Sequence, residues 1–390
     1  MPALPYWRLS GVYFFYYAVV GVFTPYFARW MEGLGHGALA ISVLFALWYA
    51  TRIVGPPLWA TLSRGSAQPK RWLLLGLWLA VLGFLGFFGA GHLGLLLVSM
   101  AVFSLFFNAV LPQLEAFTLA GLGERKHSYG RVRLWGSVGF IVLAVGYGWL
   151  LQHYSGPDLP WAMGACILAT ALIAISLPAQ RRIESPLPLD PADGASPLSV
   201  LIRRPGVPAF IAVVFLMQVS FGPYYLFFTL QLERHGHATD VIGQLWGLGV
   251  VAEIVLFMYA ASVLKRVSAA RLLQLALAVT VLRWVAIAVA PDSLPLMIVV
   301  QLGHAIGFGA FHVACMQRIV ELFDEADRAG GQSLMFSLGS GVGGVVAAVL
   351  AGLLWSSGGG LYAFVVGAGF AALGLVPAFW GLRSGGVGRP

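Results

Sequence analysis

The chain has 390 residues, 59% of them hydrophobic and only 10% charged, with a mean hydropathy of +0.85. A water-facing surface on a chain of this size needs more polar residues than that, so a soluble globular protein is excluded and lipid is the expected solvent. The net charge of +8 does not call for a nucleic-acid partner, because the basic residues sit in short, alternate loops.

A spanning helix needs roughly 20 apolar residues, and about twelve runs of that kind follow one another. They lie near 8–29, 38–62, 71–90, 93–121, 129–151, 161–178, 207–230, 239–264, 270–290, 294–321, 330–356 and 360–382. The first run follows a single basic residue, Arg8, and no small-residue cleavage site precedes the next loop, so it reads as a retained helix. Basic residues cluster in alternate loops: Arg64, Lys70 and Arg71; Arg125 and Lys126; Arg181, Arg182, Arg203 and Arg204; Lys265, Arg266 and Arg271. The opposite loops are poor in them, apart from Arg29 and Arg234. This positive-inside pattern predicts that both termini are cytoplasmic. Cys166 and Cys315 fall inside separate helices and are expected to pack, with no disulfide or metal site.

Between the sixth and seventh runs lies the one long polar stretch, 179–205. It carries Gln180-Arg181-Arg182, then Pro186, Pro188, Pro191 and Pro197, and ends in Arg203-Arg204. It reads as a solvated linker between an N-terminal six-helix bundle (1–178) and a C-terminal one (206–390). The two halves repeat at an offset of 201 residues: Glu32-Gly33-Leu34-Gly35-His36 against Glu233-Arg234-His235-Gly236-His237, Arg52-Ile53-Val54 against Glu253-Ile254-Val255, and Gly130 against Gly331. Slightly out of register, Phe23-Thr24-Pro25-Tyr26 pairs with Phe221-Gly222-Pro223-Tyr224. Duplicated halves around a central site are a transporter architecture.

Charges inside hydrocarbon are expensive and survive where they line a cavity or meet a partner. The apolar runs contain Arg52, Glu115, Arg131, Arg133, Glu253, Arg283, His304 and His312. Arg131 lies only two residues into its run, where it can also snorkel to the membrane face. Glu115 and Arg133 each lie a turn or two from the short loop joining the fourth and fifth helices, so they can meet. Arg131 and Arg133 point in different directions, so at most one of them pairs with Glu115. His304, Phe308 and His312 share one face at four-residue spacing. Glu253 and His304 are the natural proton carriers. Leaving histidine aside, four arginines face two glutamates, a surplus that favours an anionic substrate. Aromatics crowd the first helix from Tyr13 to Tyr17, Trp48 and Tyr49 precede Arg52, and Tyr224-Tyr225 follow Pro223. Some of these rings are expected to stack on a flat substrate and the rest to pack. The candidate substrate-binding residues are therefore Glu115, Arg133, Arg52, Trp48, Asn108 and Tyr224, and the candidate proton-coupling residues Glu253, Arg283, His304 and His312.

Gly339-Ser340-Gly341-Val342-Gly343-Gly344 lacks the Gly-Lys-Ser/Thr of a phosphate loop, so close helix packing is its expected role. Pro25, Pro112 and Pro223 are expected to bend their helices. Neither Gly-x-Ser-x-Gly nor His-Glu-x-x-His occurs, so no enzyme activity is expected. Lone buried charges in a two-half repeat fit a gated site better than a ringed pore.

Leu114-Glu115-Ala116-Phe117, the stretch Tyr129-Gly130-Arg131-Val132-Arg133-Leu134-Trp135-Gly136-Ser137-Val138-Gly139, and Phe311-His312 after His304 resemble the phenylpropionate-permease group of major-facilitator transporters. That group is related to lactose permease and the nucleoside:proton symporters. The resemblance implies twelve transmembrane helices in two pseudo-symmetric bundles, and alternating access in the cytoplasmic membrane of a bacterium. It also implies that Glu115 and Arg133 match a sugar-binding acid and arginine, and that Glu253, Arg283 and His304 match the coupling network. The chain departs from the pattern at Gln301, where a lysine is expected, at Gly307, where a proton-carrying glutamate is expected, and at Ser63, where an acid is expected. These departures turn the expectation from a sugar toward an aromatic carboxylate such as 3-phenylpropionate, with a nucleoside or sugar:proton symporter as the alternative. Arg133 is expected to anchor the solute and Glu115 to orient Arg133. The expected partners are the solute, protons and the bilayer; the chain is expected to be a monomer without a cofactor.

Overall fold

The computed structural model describes residues 6–66, 68–89, 91–122, 128–154, 158–179 and 196–382. Arg125, Lys126, Gln180, Arg181, Arg182, Pro186, Pro188 and Pro191, all used above, lie outside the described residues. The chain is all-helical, 89% helix with no strand among the described residues. The first six helices are α1 (Tyr6–Gly33), α2 (Ala38–Leu62), α3 (Pro69–Gly89), α4 (Leu93–Leu122), α5 (Tyr129–His153) and the shorter α6 (Leu159–Ile175). There follow α7 (Val207–Arg234), α8 (Thr239–Arg266), α9 (Ala269–Val289) and α10 (Leu294–Leu322). The final helical stretch, Glu325–Trp380, is divided at Gly359, whose φ of 65° is left-handed, into α11 (residues 325–358) and α12 (residues 360–380). All the apolar runs are therefore helices, and their large exposed side chains, such as Met258, Leu282, Val299 and Trp380, are apolar as a lipid-facing surface requires.

Local chemistry fixes the ends. α3 and α6 open with proline in the first turn, where the missing N–H would have had no partner. Ser268 caps α9 by accepting the Arg271 N–H at 3.4 Å. α1 and α7 end alike: Gly35 (φ 84°) and Gly236 (φ 86°) take the left-handed conformation that a side chain disfavours. His36 donates its N–H to the Met31 carbonyl, and His237 does the same to Leu232. The repeat at 201 residues is thus written in the backbone as well as in the sequence.

Three irregularities lie in the second half. α7 breaks at Phe221, into Val207–Ser220 and Gly222–Arg234, beside the expected Pro223. By contrast, Pro25 and Pro112 lie within helices that remain continuous. α10 and α11 contain the π-helical segments Ala305–Ala310 and Met335–Val342, both glycine-bearing, which no periodicity in the sequence announces.

The chain divides into two units. The first comprises Met1–Ala40, Leu47–Leu189 and Ala238–Gly247; the second comprises Ile41–Ala46, Asp190–His237 and Leu248–Pro390. In the first, α1 packs on α5 so closely that a Cβ on Gly21 would stand 2.5 Å from the Phe140 carbonyl oxygen, and one on Gly139 2.0 Å from that of Phe14. In the second, α7 and α11 do the same, with Gly222 against the Ala347 carbonyl (2.5 Å) and Gly339 against Val214 (2.5 Å). The glycine run of α11 is therefore a packing surface. Cys166 and Cys315 are both buried. The end of the polar stretch is tied down: Ser196 donates its backbone N–H to Asp327 at 2.7 Å, and Arg204 pairs with the same carboxylate.

Candidate functional site

In the first unit, α5 and α1 together hold Arg133. Its guanidinium donates to the Tyr17 hydroxyl and lies over the Tyr17 ring at 4.0 Å and the Tyr13 ring at 5.8 Å. Gly136, one turn further along α5, makes the room: a Cβ there would meet Tyr17 Cδ2 at 2.7 Å and Arg133 Nη1 at 2.8 Å. Glu115 lies near enough for its charge to act on Arg133, while its own hydrogen-bonding neighbour is Tyr129. The direct partner of Arg133 is thus the Tyr17 hydroxyl, in the place expected for Glu115. Arg131 is exposed.

Trp48 and Asn108 are joined, but as part of the packed interior. Asn108 Nδ2 donates to the Trp48 carbonyl (3.1 Å) and the Thr51 hydroxyl (3.0 Å), and Thr51 donates to Ser104 (2.8 Å). The Trp48 indole packs on Phe23, Phe103 and Phe107. Arg52 is exposed, with Tyr16 and Tyr17 in reach of its charge.

The second unit brings four of the expected residues into one cluster. Arg283 on α9 is 3% exposed. Its Nε donates to the Val300 carbonyl at 2.8 Å, and its Nη2 to Gln301 Oε1 and His304 Nδ1, each at 3.4 Å. Three aromatic faces wall it in: Trp284 at 4.7 Å, Tyr224 at 5.2 Å and Phe221 at 5.9 Å. The Tyr224 hydroxyl donates to Gln301 Oε1 at 3.2 Å. A guanidinium has only donors, so His304 Nδ1 must accept, which leaves the ring proton on Nε2. That nitrogen faces Glu253 Oε2 at 3.7 Å. The result is a line of groups, Arg283 to His304 to Glu253, along which a proton has a defined place.

His304 is buried and stacked on Phe308 (centroids 5.3 Å apart), whereas His312, further along α10 beyond the π segment, is exposed. His312 lines a cavity with Phe221, Tyr225, Gly307, Phe308 and Phe311. Both π segments contribute to this cavity's wall, and π bulges often mark functional positions. Sequence reasoning missed Thr280 and Trp284 as members of the cluster. Thr280 lies three residues before Arg283, the spacing of one helix face, which was the available signal.

Helices that expose apolar surface and bury a polar, aromatic-walled cluster define a multi-pass membrane protein of the transporter class. The chain belongs to the MFS_1-like family, whose model matches residues 6–366, and is a major-facilitator transporter. It is 29% identical to the probable 3-phenylpropionic acid transporter of Escherichia coli (strain K12), over 80% of this chain and 81% of that protein. It is 26% identical to the maltose permease of Geobacillus stearothermophilus, over 88% of this chain and 86% of that protein. A crystal structure of the nucleoside transporter NupG shares the fold, with a TM-score of 0.81 at 13% identity, covering 96% of this chain and 98% of that one.

Proposed function

We propose that the chain is a proton-coupled symporter of an aromatic carboxylate such as 3-phenylpropionate, working by alternating access. The observation that carries this reading is Arg283, a buried guanidinium walled by three aromatic rings and held only by uncharged partners, next to the His304–Glu253 pair. Aromatic faces suit a flat ring and the guanidinium suits a carboxylate. The imidazole and carboxylate beside them supply a proton site. The similarity to the probable 3-phenylpropionic acid transporter supports the same cargo. Of the expected substrate-binding residues, Tyr224 belongs to this cluster. Glu115, Arg133 and Arg52 provide the polar groups of the first unit, while Trp48 and Asn108 shape its interior. The protein acts as a monomer in the cytoplasmic membrane of a bacterium, with both termini cytoplasmic; the alternate basic loops support that orientation.

A nucleoside or sugar:proton symporter is the second reading, favoured by the likeness to NupG and to the maltose permease. Uptake of labelled 3-phenylpropionate, uridine and maltose into vesicles, with and without an imposed pH gradient, separates the two. Gradient-driven accumulation of 3-phenylpropionate alone is expected; accumulation of uridine or maltose instead would establish the second reading. Glu253→Gln and His304→Gln are expected to abolish the gradient's effect, and unchanged coupling in both variants would remove these residues from the proton path.

A further inference from the structure

Arg283 lies in a groove that two glycines cut into α10. A Cβ at Gly303 would stand 3.2 Å from Arg283 Cδ; one at Gly307 would stand 3.1 Å from Arg283 Nη1 and 2.8 Å from the Thr280 hydroxyl. Arg283 and Thr280, 3% and 0% exposed, occupy one face of α9. Among the described residues neither Arg283 Nη1 nor Thr280 Oγ1 has a hydrogen-bond partner. Two unanswered donors therefore converge on position 307 from one side. Gly307 also forms part of the wall of the cavity lined by Phe221, Tyr225, Phe308 and Phe311.

Unanswered buried donors are costly, and a buried cation without a counter-charge is costlier still. The partners that Arg283 does hold are a carbonyl, an amide, a neutral imidazole, the Tyr224 hydroxyl and ring faces, none of them charged. The wall itself is part of the π segment Ala305–Ala310, where the regular helical ladder is already interrupted and displacement is least expensive.

We propose that Arg283 Nη1 and Thr280 Oγ1 are the docking donors for the cargo's carboxylate, approached from the cavity at Gly307, and that glycine at position 307 leaves the counter-charge to be supplied by the cargo. One carboxylate oxygen accepts from the guanidinium and the other from the hydroxyl, while the ring of the cargo packs against Phe221 and Phe308. This rests on the reading of the cargo as an aromatic carboxylate.

The test compares Gly307→Asp with Gly307→Ala in the full-length protein in lipid nanodiscs. Both variants add the same Cβ, 2.8 Å from Thr280 Oγ1 and 3.1 Å from Arg283 Nη1, so both demand the same local shift, and Asp alone brings a resident counter-charge. Binding of radiolabelled 3-phenylpropionate is measured, with 3-phenylpropionamide as the uncharged competitor. Relative to the alanine variant, the aspartate variant is expected to bind the carboxylate about tenfold or more weakly, while the two bind the amide equally. Thr280→Val is expected to weaken the carboxylate about threefold and leave the amide unaffected. Equal carboxylate binding by the aspartate and alanine variants, or a parallel loss of the amide, would overturn the docking site and leave the cargo reading intact. Failure of the unmodified protein to bind 3-phenylpropionate would overturn the cargo reading, and the docking site with it.

Discussion

Each unit of the molecule contains an arginine set against more than one aromatic ring, Arg133 in the first and Arg283 in the second, and the two are answered differently. Arg133, half-buried, donates to the Tyr17 hydroxyl, rests on that residue's ring and lies in the field of Glu115. Arg283, almost wholly buried, has among the described residues one nitrogen without a hydrogen-bond partner, and the groups it does hold are uncharged. The same device makes room for both, a glycine facing the guanidinium: Gly136 in the first unit and Gly307 in the second. Arg133 is only part-buried and holds the Tyr17 hydroxyl within the field of Glu115, whereas Arg283 is almost wholly buried with a nitrogen that has no partner among the described residues. An exchangeable anion belongs where the fixed surroundings fall short, because there its binding satisfies groups that are otherwise unpaired.

The largest effect that can break this comparison is expected from the two arginines themselves. Arg283→Gln should lower 3-phenylpropionate binding by about a hundredfold, roughly 2.7 kcal/mol, while Arg133→Gln should lower it by less than about tenfold. Equilibrium binding measures both, and the reverse ranking would return the anchoring role to Arg133. Next in size is the seam between α1 and α5. Gly139→Ala forces a methyl onto the Phe14 carbonyl oxygen, now 2.0 Å from the Cβ position, and should cost about 3 kcal/mol of stability. Gly146, on the same helix, has nothing within 4 Å of its Cβ position, so Gly146→Ala should stabilise by about 0.5–1 kcal/mol. Thermal unfolding of the two purified variants should therefore move in opposite directions. The smallest effect tests the one hydroxyl that Arg133 is seen to hold. Tyr17→Phe keeps the ring under the guanidinium and removes the hydroxyl, and should cost about 1.5 kcal/mol, read as a fall in midpoint temperature. Carboxylate affinity should change little, since the hydroxyl serves Arg133 rather than the cargo.

The chain's pattern of apolar runs foretold the helices closely, because a segment crossing lipid must satisfy all its backbone groups within itself and reveals its length in its composition. α2 begins and ends at residues 38 and 62, as its run does. The repeat was legible too, and Gly35 and Gly236 show why: both helix ends need a left-handed residue, and glycine meets that need at little cost. The π segments were not legible. His304 and His312 stand at the spacing of one face, but packing against Tyr224 and Phe221 buries the first ring while the second stays exposed, a difference that spacing alone does not show. Nor did helical direction and loop length show that Arg133 would reach Tyr17, which lies 116 residues away in sequence.

By itself, then, the sequence determined the solvent, the number and extent of the helices, the twofold repeat and the short set of charges worth explaining. These depend on local composition and on the cost of charge in hydrocarbon, both of which are properties of the segment alone. Only the tertiary structure decided which charges are answered and which are left open. That depends on which side chains two packed helices bring within about 3 Å of each other, and hence on the glycines that let the helices approach. Gln301 and Gly307 stand out in the sequence only as departures from a family pattern and Thr280 not at all, yet around Arg283 they decide the chemistry.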